Sequence, residues 1–222
     1  FEKATDIDPA YASAWAWLAY AHWHDARFLW SDKPQEALAK ASAIAARALA
    51  LDASLPEVHG VLAVIRVLHG EFDEAIAAAR QGVTLEPSGP ETMALLAFVL
   101  TWAGQADEAA RAAEQAIGFC PLHSPWYLDT LGHARLLLRQ FDRAVASYRE
   151  AIVHLPDYVM PRIGLAACYA EMGRLTDARE QAREVLRISP DFSIEQHTSM
   201  CRYKLTVHTE RRLRALKAAG LP

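Results

Sequence analysis

The feature that most limits how this chain can fold is a pattern that returns every 34 residues. Gly70, Gly104 and Gly173 stand at equivalent places, with Arg139 in the fourth copy. Phe72, Ala106, Phe141 and Leu175 follow two residues later, then Ala75, Ala109, Ala144 and Ala178. Pro87, Pro121, Pro156 and Pro190 close the copies, and Ser124 is one extra residue at a junction. Each copy reads as two amphipathic helices with a tight break between them, as at Gly70-Glu71-Phe72. Proline lacks an amide hydrogen and blocks helix continuation, so the four prolines separate units. The recurrent alanines suit places where two helices cross too closely for a larger side chain.

The first helices also carry a Leu followed by a small residue: Leu62-Ala63, Leu96-Ala97, Leu131-Gly132 and Leu165-Ala166. With the 34-residue period, this pattern resembles the tetratricopeptide repeat family over nearly the whole chain. The resemblance implies an all-α fold, a right-handed α-solenoid of helix-turn-helix repeats. In such arrays length counts repeats rather than domains. The expected organisation is a partial repeat over residues 1–11, then repeats over 12–55, 56–89, 90–123, 125–158 and 159–192. Residues 193–222 are expected to form C-terminal capping helices.

Two regions depart from the period. Phe1, Ala4, Ile7 and Pro9 match Tyr148, Ala151, His154 and Pro156 in spacing, so the chain is expected to start inside the second helix of a repeat, as a fragment of a larger protein. The unit over 12–55 is about ten residues longer than the period, through longer helices or a longer loop, and includes the aromatic stretch Trp23 to Trp30. Ser31 or Asp32 is the expected N-cap of its second helix, with Pro34 in the first turn. The extra length packs on itself or projects as a lip. After Pro190, Ser193 is expected to cap a helix with Ile194, His197 and Cys201. A second helix from about Thr209 to Ala218 carries Leu213 and Leu216. Six basic residues from Arg202 onward face Glu210 alone; the expectation is a solvated helix face.

Asp73-Glu74, Asp107-Glu108 and Asp177 sit where they complement a helix dipole. Arg139 either adopts a left-handed backbone, at a cost of roughly 1–2 kcal/mol, or bends the turn differently. A net charge of −4 argues against a general nucleic-acid binder. Cys120, Cys168 and Cys201 show neither metal spacing nor an even disulfide framework, which fits reduced thiols in a cytoplasmic setting. The longest apolar runs, Tyr11–Ala21 and Met93–Ala103, are too short to span a bilayer. There is no phosphate-binding loop, dinucleotide fingerprint, HExxH or paired-cysteine zinc pattern. His22 and His24 lie on different helix faces. Cys168 falls in a core helix, and His59, His69, His123, His133 and His154 are scattered through the units. No catalytic, cofactor or metal site is therefore assigned. The chain has no asparagine, and Gly60, Val64, Ala94 and Phe98 stand where chaperone-binding relatives place Lys and Asn, so that carboxylate clamp is not carried over.

Residues 48–87 and the ending ERRLRALKAAGLP look like the C-terminal repeat regions of certain bacterial proteins. In those, repeats follow a class III adenylate or guanylate cyclase domain or a winged-helix DNA-binding domain. The resemblance implies a protein-interaction or regulatory scaffold within a signalling protein, the alternative being the repeat region of a DNA-binding regulator or of an enzyme. Family geometry puts the first helix of each pair on the concave wall. The expected protein-binding groove is Tyr20, Trp23, Val64, Val67, Phe98, Thr101, Trp102, Trp126, His133, Leu136, Met160 and Ile163. Its apolar and aromatic character suits an apolar or amphipathic segment, from the parent protein or a second copy. The other reading is that these residues pack against neighbouring first helices.

Overall fold

The computed structural model describes residues 1–28, 30–200 and 203–222. Among these residues there are thirteen helices and no strand. In chain order they are α1 (Glu2–Ile7), α2 (Ala12–Arg27), α3 (Pro34–Leu51), α4 (Pro56–His69), α5 (Phe72–Leu85), α6 (Pro90–Ala103) and α7 (Ala106–Phe119). They continue as α8 (Pro125–Leu137), α9 (Phe141–His154), α10 (Val159–Glu171), α11 (Leu175–Ile188), α12 (Ile194–Met200) and α13 (Thr206–Ala218). The all-helical class inferred from the repeat is the class observed. The helices group into two units, Phe1–Val99 and Leu100–Pro222, with α6 contributing to both.

The turn inside each repeat is built as the period requires. Gly70, Gly104 and Gly173 have φ of 81°, 82° and 75°, and Arg139 takes the same left-handed region at 59°. After α4, the Gly70 amide donates to the Val67 carbonyl and the Glu71 amide to the Arg66 carbonyl. The same two bonds recur at Gly104 and Gln105, at Arg139 and Gln140, and at Gly173 and Arg174. They satisfy carbonyls that a helix C-terminus leaves unpaired. Of the two options for Arg139, the left-handed one is therefore realised. Its guanidinium lies over the Phe141 ring, 5.4 Å from the centroid, a contact glycine would lack.

Within the first unit α2 packs on α3, α4 on α5, and both α2 and α3 on α4; within the second, α8 packs on α9, α10 on α11, and α8 and α9 on α10. First helices thus touch helices on several sides. In α6 every residue from Thr92 to Ala103 is buried. Second helices bury one face only, the arrangement an amphipathic stripe produces. Ala75, Ala109, Ala144 and Ala178 are fully buried, as close crossing demands. Each proline of the period stands two residues past the last residue of α5, α7, α9 or α11.

The long unit divides its extra residues among all three parts. Helix α2 has 16 residues and α3 has 18, against 14 each for α4 and α5. The connection accounts for the rest. Lys33, not Ser31 or Asp32, is the N-cap of α3. Ser31 instead accepts the Lys33 amide through its hydroxyl, at 3.1 Å. The connection folds back rather than standing free: the Trp30 amide donates to the Asp25 carbonyl, and the Phe28 and Trp30 rings stack at 5.2 Å.

The C-terminal part differs more from expectation. Helix α13 begins at Thr206, three residues earlier than the apolar pattern suggests. The expected places of Cys201 and Arg202 lie outside the described residues. Helix α13 packs on α10, and the turn after it, Ala219-Gly220, lies beside Thr176, Arg179 and Ala182 of α11. It therefore reaches the last helix pair, as a cap does, and extends well beyond it.

Candidate protein-binding wall

Ten of the twelve residues expected to line the groove are buried, and Tyr20 and Trp126 are half-buried. What covers them has to be read separately in the two units.

In the first unit the wall is closed by its own aromatic packing. The Trp23 ring stacks on Tyr20 at 5.1 Å and meets Phe98 edge-on at 5.6 Å. Its indole N–H donates to the Val64 carbonyl at 3.0 Å, so one first helix is tied to the next. Arg27, itself buried, lies over the Phe98 ring at 4.8 Å and the Phe28 ring at 5.3 Å. Such cation–ring contacts gain strength when water is excluded. Val64 and Val67 are buried as well. Burial, with a smaller contribution from the Glu91 carboxylate, raises the Tyr20 hydroxyl well above its usual pKa. Burial and then the Arg27 charge lower His24 to about 4. Both side chains are neutral at pH 7, so the charge within the aromatic cluster is that of Arg27.

In the second unit the wall is covered by the chain's own C-terminal segment. The Tyr203 ring lies 4.6 Å from Trp102 and 5.5 Å from His133, and its hydroxyl pairs with His133 Nε2. The Lys204 amide donates to the Trp102 carbonyl at 2.9 Å. Leu205 reaches the α6–α7 turn, where its Cδ1 would sit 3.2 Å from a Cβ placed on Gly104. Further along, Arg211 donates through Nη2 to the Leu136 carbonyl at 2.7 Å, and its Nε pairs with Glu171 at 2.6 Å. Arg212 donates to His133 Nε2 at 3.3 Å and to His197 Nε2 at 3.5 Å. Trp102, His133 and Leu136 are thus three anchoring points for one segment. Thr101, Met160 and Ile163 are buried as well.

These contacts revise the expectation of a solvated basic end. Lys204, Arg214 and Lys217 are exposed, whereas Arg211 and Arg212 turn inward. Tyr203 and Glu171 are the members of this arrangement that were not singled out from sequence, and Arg211 and Arg212 were counted only as part of a solvated basic end. For the two arginines a signal exists. Arg211 and Arg212 stand one helical turn before Ala215 and Leu216, the buried pair of α13, so they fall on its inward stripe.

Other chemistry-bearing groups have structural partners. Burial pushes the Cys168 thiol up to about 12, the opposite of what a nucleophile needs. His59 bonds the Ala53 carbonyl, His69 bonds Ser42, and His123 bonds the Cys120 carbonyl. His22 lies 3.6 Å from Asp25. Among the described residues, no three His, Cys, Asp or Glu side chains are grouped to hold a metal, and no helix is long and apolar enough to cross a membrane.

The family model described as tetratricopeptide repeat matches residues 135–200. No curated protein matches the chain in sequence. Among solved structures, the chain is similar to one from the APC/C hetero-tetramer Cut9-Hcn1, with a TM-score of 0.69 at 14% identity. That match covers 98% of this chain, which spans only 41% of the other. A thermophilic tetratricopeptide protein of Thermus thermophilus matches with a TM-score of 0.65 at 21% identity, covering 91% of this chain and all of its own. YrrB, described as a tetratricopeptide protein with an unusual peptide-binding site, matches with a TM-score of 0.53 at 16% identity, over 98% of this chain and 97% of its own. The chain is thus of tetratricopeptide fold over nearly all its length, and residues 135–200 carry the family's sequence pattern.

Proposed function

We propose that this chain is a protein-interaction scaffold whose first helices form the recognition wall. The observation that carries the reading is the way the second unit holds a segment of polypeptide: an aromatic side chain against Trp102 and His133, and an arginine on Glu171 and the Leu136 carbonyl. Aromatic and arginine anchors of this kind dominate protein interfaces. The peptide-binding site named for YrrB and the hetero-tetramer named for Cut9-Hcn1 support it by likeness of fold. The partner in this reading is a protein or peptide segment, from another domain of the parent or from a second copy. The similarity of residues 48–87 and of the C-terminal ending to bacterial cyclase and winged-helix proteins favours a cytoplasmic signalling parent. Free thiols at Cys120 and Cys168 suit that compartment.

Phe98 and Trp102 are too deeply buried to be replaced as a test. A photo-crosslinking amino acid at half-buried Tyr20 or Trp126 probes the wall without emptying the core. Arg111, exposed on α7, is the control site. Specific adducts from the wall positions and not from Arg111 are expected. The same adducts from all three sites would sink the assignment.

A further inference from the structure

We propose that residues 203–221 are a resident, displaceable occupant of the wall formed by α8 and α10. The partner that replaces them is a segment of the same chemistry: an aromatic side chain followed, eight residues later, by an arginine on an amphipathic helix. The inference rests on reading the wall as a binding surface and adds who competes for it.

Three observations point to a docked segment. First, it is attached as an amphipathic helix docks: the apolar stripe of α13, Ala215 and Leu216, is buried, and polar side chains anchor the residues before it. Tyr203 is held by His133, Arg211 by Glu171 and a backbone carbonyl, Arg212 by two histidines. Second, the residues between the anchors are not packed away: Leu205 is 47% and Val207 56% exposed. Between the Tyr203 anchor and the Arg211 and Arg212 anchors, the segment thus runs through side chains that are exposed or half-buried. Third, the fit is incomplete. The Arg212 Nε is buried with no hydrogen-bond partner, a desolvation cost that a better-matched segment avoids. An attached competitor lowers the apparent affinity for an outside ligand by the fraction of time the wall is open. Exposed Lys204, Arg214 and Lys217 face away from the wall's anchors, so solvated charge stays on the outer side of the bound helix.

The test uses the full chain with Tyr203→Ala and Arg211→Glu combined, the second change placing a carboxylate against Glu171. Hydrogen exchange by mass spectrometry reads each helix. The α13 amides are expected to lose protection while α8 and α10 keep theirs. Loss of protection in α8 and α10 as well would make the segment part of the core and overturn the proposal. The binding probe is a fluorescein-labelled peptide of residues 203–221, followed by anisotropy. The double variant should bind it about tenfold or more tighter than the intact chain does, since the wall is open for a larger fraction of the time. Equal affinities would overturn the proposal. Adding Glu171→Arg to the variant should abolish binding, and an Arg211→Glu peptide should restore it. If peptide binding fails while Tyr20 and Trp126 still crosslink partners, the scaffold reading stands and the competitor does not.

Discussion

Gly164→Ala is the substitution whose outcome most directly tests how the second unit is packed. Tyr148, fully buried on α9, is caught between two first helices. A Cβ on Gly164 would lie 2.3 Å from the ring's Cζ, and one on Gly132 would lie 2.7 Å from its Cε1. A real Cβ never approaches an atom so closely, and the ring cannot retreat from one helix without meeting the other. Alanine gains about 1 kcal/mol over glycine in a helix interior. Overpacking a filled core costs roughly 1–3 kcal/mol. With a rigid ring trapped on both sides the upper part of that range applies, and the net is a loss of about 1–2 kcal/mol. Urea denaturation followed by circular dichroism measures it. Gly118→Ala is the internal control, because no atom lies within 4 Å of its added Cβ. It should gain about 0.5–1 kcal/mol, the ordinary propensity difference. Combining Gly164→Ala with Tyr148→Leu removes the ring and should cost less than the two single changes added together. If Gly164→Ala proves as stable as the parent while Gly118→Ala gains stability, the wedged ring is not a constraint and the reasoning fails.

Ala109→Leu should cost roughly 1–3 kcal/mol, since Ala109 is fully buried; an unchanged urea midpoint would contradict the register that places it inside. Arg139→Gly should stabilise by up to about 1 kcal/mol, because relief of the left-handed backbone outweighs the lost ring contact and glycine's extra freedom when unfolded; a lower midpoint would refute it. His24 titrates at about 4 when folded against 6.5 in the open chain, so below pH 6.5 the unfolded state binds more protons. Stability should fall by about 3 kcal/mol as pH drops from 6.5 to 4, and His24→Phe should remove that part of the slope in urea titrations run at each pH.

The repeat, its turns and its buried alanines were legible in the sequence because each is a local constraint repeated four times. Gly70, Gly104 and Gly173 mark a left-handed backbone that few other residues adopt cheaply, whereas position alone left Arg139 two options, of which the structure takes the left-handed one. The alanine at each crossing is legible for the same reason: a helix pair of fixed geometry leaves room for one small side chain. The twelve wall positions were chosen from sequence as a stripe on each first helix, since helical spacing decides which side chains of one helix share a face.

Whether each stripe is open was a tertiary decision. In the first unit, Trp23 bonds the Val64 carbonyl and meets Phe98, and Arg27 lies over the Phe98 ring, contacts between residues far apart in the chain. In the second, Tyr203 and Arg211 reach back across 70 and 75 residues to His133 and Leu136. Charge counting assigned the C-terminal arginines to solvent, because sequence shows their number but not the carboxylate and carbonyl that wait for them on α10 and α8. A period along the chain specifies the contacts between neighbouring repeats; it carries no information about a segment that leaves the period and folds back on the array. For that segment, Arg211 can meet Glu171 and the Leu136 carbonyl together only once α8 and α10 stand side by side.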